Sequence, residues 1–282
     1  MQRSSTSFSF ALVLFGASSL ASAQGLPDYK GQLEELTVPS KTYPAGRHAW
    51  VYTPAGYPKV CAKSCNLIVA FDGSEYIAAM PLPHILDSLV AAKRTSPSVA
   101  ILFDNGAPPP RLQDLANSSR FASFVAEELV SWARAHYVVS SAADHNIITG
   151  SSAGGLAATY IAFRYPAVFG NVLSQSGAFW RGNEGSNDAP YEWLTQQFAS
   201  SPRVDVHFFL DVGSKETAGA LGGAAPSLLD ANRHLRDVMR AKGYIVDYFE
   251  VPGGVHHPMS WALRLPVGIV ALAPLLESTG KE

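Results

Sequence analysis

Short runs of β-branched and aromatic residues alternate along the chain with stretches whose apolar residues recur every three or four positions. The short runs predict strands at 48–52, 66–71, 98–103, 145–149, 171–174, 206–212 and 245–251. Several are apolar at successive positions, as in Leu67-Ile68-Val69-Ala70-Phe71. That pattern suits strands covered on both faces rather than one. The longer stretches predict helices at 84–94, 119–137, 153–164, 227–242 and 259–277. In the second of these, Phe121, Phe124, Val125, Leu129 and Trp132 make one apolar stripe. The last is apolar enough to suggest a membrane span, but Arg264, Pro266 and Pro274 interrupt it, so a docked C-terminal helix is expected. Strand and helix alternating in this way predict an α/β fold with a mostly parallel, doubly wound sheet. Ligands of such sheets sit at the carboxyl ends of the strands. No repeat, low-complexity tract or long linker divides the chain, so one domain is expected over 24–282.

The first residues follow a different pattern. Arg3 precedes a largely apolar run from Phe8 to Phe15, and Ala21-Ser22-Ala23 offers a small-residue cleavage site. These features read as a secretory signal peptide over 1–23 and predict export, to a periplasm or beyond the cell. The two cysteines, Cys61 and Cys65, are then expected to form a disulfide. A redox or metal role fits them poorly, because the spacing is not C-x-x-C and no second Cys/His cluster follows. Charge adds an exclusion: 21 Lys and Arg against 23 Asp and Glu leave a net −2, with no basic face implied for nucleic acid. At 47% hydrophobic and 16% charged residues, the 282-residue chain is also not a disordered one.

The strongest chemical signal is Gly150-Ser151-Ser152-Ala153-Gly154, directly after a predicted strand and directly before a predicted helix. A G-x-S-x-G elbow needs that context, and its register selects Ser152 as nucleophile. A serine hydroxyl reacts only when a base takes its proton. In chain order an acid and then a histidine should follow. The segment after the last strand carries both His256 and His257. For the acid, Glu216 lies in the loop after the strand at 206–212, whereas Asp211 lies inside that strand and Asp230 further along. Position favours Glu216, with Asp211 and then Asp230 as alternatives. Two backbone N–H groups should face the developing oxyanion, one from Ala153 and one from Gly73 or Ser74 after the strand at 66–71. Asn117-Ser118-Ser119 also matches a glycosylation sequon.

These residues resemble the putative-esterase branch of the α/β-hydrolases, and within it the enterochelin (catecholate siderophore) esterases. The resemblance runs from about Trp50 to the C-terminal helix. It is carried by Trp-Val-Tyr-Thr-Pro-Ala-Gly-Tyr at 50–57, Phe-Asp-Gly at 71–73, Arg-Leu-Gln-Asp-Leu at 111–115 and Gly-Ser-Ser-Ala-Gly-Gly-Leu-Ala-Ala at 150–158. It continues in Phe-Gly-Asn-Val-Leu-Ser-Gln-Ser-Gly-Ala-Phe-Trp at 169–180, Val-Gly-Ser-Lys-Glu at 212–216 and Gly-Gly-Val-His-His-Pro-Met-Ser-Trp at 253–261. The family pattern sets a Trp five residues after the base. That register implies His256, five before Trp261, rather than His257. Val255 between Gly254 and His256, and His257 where the family usually has Asp, are departures. The resemblance further places Arg111 near the substrate pocket, unless it forms a structural ion pair with Asp114. Trp180 would stack on an aromatic acyl group or serve as wall packing.

The resemblance implies an α/β-hydrolase fold and an exported serine carboxylic-ester hydrolase that needs no metal or organic cofactor. Its substrate would be a small-molecule or polysaccharide-linked ester: a catecholate trilactone first, feruloyl or acetyl esters of plant polysaccharide (as for feruloyl and acetylxylan esterases) second. Acyl transfer to an alcohol on the same fold is a further alternative. A non-catalytic binder is the remaining one, although such proteins usually lose the Ser or His.

Overall fold

The computed structural model describes residues 29–61, 64–106, 110–183 and 190–273. The segment read as a signal peptide, 1–23, lies outside the described residues, as does the end of the predicted last helix beyond 273. The strands are β1 (Gln32–Val38), β2 (Arg47–Thr53), β3 (Asn66–Phe71), β4 (Ser98–Phe103), β5 (Asn146–Ser151), β6 (Asn171–Gln175), β7 (His207–Gly213), β8 (Gly219–Ala220), β9 (Ala225–Ser227) and β10 (Ile245–Val251). The helices are α1 (Gly73–Ala78), α2 (Leu82–Ala91), α3 (Arg111–Leu115), α4 (Ser119–Ser123), α5 (Val130–His136), α6 (Ala153–Arg164), α7 (Trp193–Ser200), α8 (Leu228–Ala241), α9 (Pro258–Ala262) and α10 (Leu265–Leu272).

Eight strands form one sheet in the order β1-β2-β4-β3-β5-β6-β7-β10. The run from β4 to β10 is parallel, and β2 and β1 close the other side antiparallel. β3, β4, β5 and β6 are buried at every position. That is why they read as continuous apolar runs rather than alternating ones. The edges differ: β10 is exposed or half-exposed along its whole length. One face of the sheet packs on α1, α2, α9 and α10 through Tyr76, Leu86, Trp261, Leu265 and Ile269. The other packs on the helices from α4 to α8 through Phe121, Phe124, Leu156, Phe198 and Leu235. The result is an α/β-hydrolase layering, with helices on both sides of a mostly parallel sheet.

Local chemistry sets the helix boundaries. Ser227 caps α8, its hydroxyl accepting from Asp230 N–H at 3.1 Å and donating to the Asp230 carboxylate at 2.7 Å. Asp230, the least favoured acid candidate, is thus a helix-start residue. The predicted helix at 119–137 is continuous but underwound in its middle, where Phe124–Leu129 is π-helical between α4 and α5. The predicted single helix at 259–277 is instead two, α9 and α10, broken at Leu263–Arg264 with Pro266 in the first turn of α10. Proline lacks the N–H that a continuing helix would need there. Among the described residues no helix is long and apolar enough to cross a membrane. Cys61 and Cys65 form the expected disulfide, just ahead of β3. The sequon residue Asn117 is buried, and its Nδ2 donates to Gly182 O at 2.8 Å, so it presents no side chain for a glycan.

Candidate active site

Ser152 stands between the last residue of β5 and the first turn of α6, with φ 56° and ψ −119°. A non-glycine residue there costs about 1–3 kcal/mol and persists only where its surroundings hold it. Here Ser152 N–H donates to Gln175 O at 2.9 Å, and Ser152 O accepts from Ala178 N–H at 2.9 Å and Leu156 N–H at 3.1 Å. The turn also needs small neighbours. A Cβ on Gly150 would lie 2.4 Å from the Gly154 carbonyl carbon, and one on Gly155 would lie 2.4 Å from Ser174 Oγ.

Glu216 and His256 come together from the ends of β7 and β10. The two loops are laced by Ser214 N–H to Val251 O at 3.0 Å, Lys215 N–H to Gly254 O at 3.0 Å and Gly253 N–H to Ser214 Oγ at 2.9 Å. His256 Nδ1 lies 2.6 Å from Glu216 Oε2. Glu216 Oε1 accepts from Ser176 Oγ at 2.6 Å and Gly213 N–H at 2.8 Å, and Ser176 Oγ in turn accepts from Trp261 Nε1 at 2.9 Å. The Trp261 ring also meets the imidazole edge-to-face at 4.9 Å. Burial pushes the Glu216 carboxyl up, but hydrogen bonds from His256, Ser176 and Gly213 outweigh it and hold the group below its ordinary range. An ionised carboxylate only accepts, so Nδ1 carries the proton and Nε2 is left free to exchange one. Ser152 and His256 line the same cleft, of about 360 Å³, and no hydrogen bond joins them in this structure. Such contacts often tighten only with substrate bound.

The other candidates have different occupations. His257 caps α9, its Nδ1 accepting from Met259 N–H at 3.2 Å. Asp211 is fully buried inside β7, paired with Arg264 at 2.8 Å and accepting from Gln175 Nε2 at 3.1 Å. Burial pushes its carboxyl up despite those partners. Arg111 does not pair with Asp114. It grips Asp72 with both Nε and Nη2, each at 2.6 Å, while Asp114 binds Arg47 at 2.6 Å. Asp114 is buried with Arg47 as its partner, and Asp72 is the N-cap of α1, directly after β3. Arg111 and Trp180 both line the cleft, as Ala153 does. Gly73 is buried and Ser74 exposed in the first turn of α1, and neither lines the cleft directly. Their neighbour Glu75 nevertheless feels the site. Its carboxyl is raised, by burial first and by Asp72 second, against the pull of Arg111, His256 and His257.

Four residues of the site escape a motif reading: Asp72, Ser176, Arg181 and Trp261 in its hydrogen-bonding role. Asp72 and Ser176 do lie inside the quoted blocks and share a signal only geometry exposes, a positive φ of 59° and 48° at a strand's carboxyl end. Among the described residues no group of three or more His, Cys, Asp or Glu is arranged to hold a metal ion.

The Putative esterase family matches residues 40–272. The iron(III) enterobactin esterase of Escherichia coli (strain K12) is 26% identical over 239 residues, covering 85% of this chain and 56% of that protein. The chain therefore spans just over half the length of this curated relative. The enterobactin esterase of Shigella flexneri, solved in the presence of enterobactin, superposes with a TM-score of 0.73 at 25% identity, over 89% of this chain and 60% of that one. A ferulic acid esterase superposes with a TM-score of 0.70 at 17% identity, over 87% of this chain and 98% of its own, a likeness of fold.

Proposed function

The chain belongs to the Putative esterase family, and from that membership we propose that it is an exported serine carboxylic-ester hydrolase working through Ser152, His256 and Glu216. One observation carries the reading: the 2.6 Å contact of His256 Nδ1 with a buried carboxylate, on the cleft that Ser152 also lines. In the reaction, Ser152 Oγ bonds to the ester carbonyl carbon while its proton passes to His256 Nε2. Glu216 fixes the tautomer and stabilises the imidazolium. The carbonyl oxygen, now negative, is met by Ala153 N–H, with the Gly73–Ser74 turn as the second source of donors. Collapse breaks the carbon–oxygen bond, and the alcohol leaves with the proton held on His256. Water then attacks the acyl-enzyme, gives its proton to His256, and the free acid departs as Ser152 regains that proton.

Segment 1–23 acts as a cleaved signal peptide, a reading supported by the Cys61–Cys65 disulfide, which belongs in an oxidising compartment. The substrate put first is a catecholate trilactone, on the strength of the enterobactin esterases it matches. A feruloyl ester is the second reading, favoured by a ferulic acid esterase matched over nearly its whole length. The test is a competition between an iron-loaded catecholate trilactone and a ferulate ester, read by product mass spectrometry with Ser152→Ala as blank. Linear trimer or monomer appearing first supports the trilactone reading. Free ferulate with the trilactone intact moves the enzyme to cell-wall esters. Equal turnover by Ser152→Ala removes the serine mechanism.

A further inference from the structure

Most arginines near the site have a carboxylate. Arg111 holds Asp72, Arg47 holds Asp114, and Arg264 holds Asp211. Arg181, which follows Trp180 on the cleft wall, has none among the described residues. It is only 7% exposed, and its Nε is buried without a hydrogen-bond partner. The guanidinium is held instead over the Trp180 ring, 5.0 Å from its centroid. Burial, and then the like charge of Arg111, both work against its proton. A guanidinium stays charged regardless, so the wall carries a positive charge that no carboxylate among the described residues pairs with. Leaving a buried charge unpaired is destabilising, and the free energy is recovered when an anion binds. The backbone around it is already fixed: Arg181 N–H donates to Ala178 O, Trp193 N–H to Arg181 O, and Asn117 Nδ2 to Gly182 O. Little ordering would therefore be lost on binding.

We propose that Arg181 selects, for this cleft, esters that carry an anionic oxygen — a carboxylate or an ionised phenol — close to the scissile bond. The proposal rests on the esterase reading above and deepens it. Arg111 is not the selecting charge, because Asp72 already takes its fork of donors. Trp180 beside the guanidinium supplies a flat apolar surface for the carbon skeleton that bears the anion.

The test compares 4-nitrophenyl hemiglutarate with the 4-nitrophenyl ester of monomethyl glutarate, and an ionised-phenol ester with its methyl ether. A charge-assisted contact should give the wild type a preference in kcat/KM of about 10- to 100-fold for the anionic member of a pair. Whichever pair shows it identifies the oxygen. Arg181→Met should reduce the ratio to near one, and Arg181→Lys should restore part of it. Calorimetry of glutarate and glutaramide on Ser152→Ala reads the anion site without turnover. Glutarate binding with no hydrolysis of any ester keeps the anion site and sinks the esterase reading. Ester hydrolysis with no charge preference in the wild type and no glutarate binding overturns the anion site alone. An unchanged preference in folded Arg181→Met also overturns it.

Discussion

Glu216 and Asp211 are both nearly inaccessible carboxylates, and their partners give them opposite uses. Glu216 faces an imidazole, and Asp211 faces a guanidinium. Glu216→Gln should therefore lower kcat by about 10⁴, since an amide can hold the ring in the wrong tautomer. Asp211→Asn should change kcat less than about tenfold and show its effect in melting temperature instead, by leaving Arg264 unpaired. Steady-state kinetics beside thermal melts on both variants separate the two. The depressed carboxyl of Glu216 also sets a pH signature. Its native value lies below its ordinary 4.5, so the stability it gives is complete above that value and drains as pH falls through the native one. The melting-temperature gap between wild type and Glu216→Gln should hold between about pH 6 and 8 and narrow below about pH 4. Ser152 was legible because a nucleophile elbow constrains its neighbours in sequence. Arg181 was not, because the want of a paired carboxylate among the described residues is a fact of three-dimensional surroundings and leaves no local motif.

Among the elements, the parallel strands were the most readable. Predicted and observed bounds coincide at 66–71, 98–103 and 245–251. β1 went unread because its exposed and half-exposed positions carry Glu34, Glu35 and Thr37 among few apolar residues. α1, α3 and α7 were missed for another reason. At six, five and eight residues they are too short to show a period and are held by tertiary contacts. The predicted helix 153–164 was found in full, yet its tolerance is narrow. Gly155→Ala places a methyl group against Ser174 Oγ and should destabilise by about 1–3 kcal/mol. Chemical denaturation of that variant checks it: a lowered midpoint at unchanged slope is expected, and an unchanged midpoint would show that β6 and α6 can part without cost.

At the scale of the whole molecule, the sheet separates stability from chemistry along one axis. Cys61–Cys65 lies ahead of β3, at the amino end of the strands, whereas Ser152, Ser176, Glu216 and His256 all follow the carboxyl ends. Reduction should remove about 2 kcal/mol, lowering the melting temperature by roughly 4–8 °C, with kcat at 25 °C unchanged. A thermal melt and an activity assay with and without reductant test both halves. The site's three proposed members hang from three different strands, and one of those, β10, is a border strand paired only with β7 and mostly open to water. Border strands fray at lower free energy than the strands they flank. Loss of function under gentle heating or dilute urea should then run ahead of the loss of helical signal. The protein would pass through a folded but silent form, in which the imidazole has drifted from its carboxylate while the serine turn is still intact. Amide protons of β10 exchanging sooner than those of β3 and β5 would trace that inactivation to one detachable border.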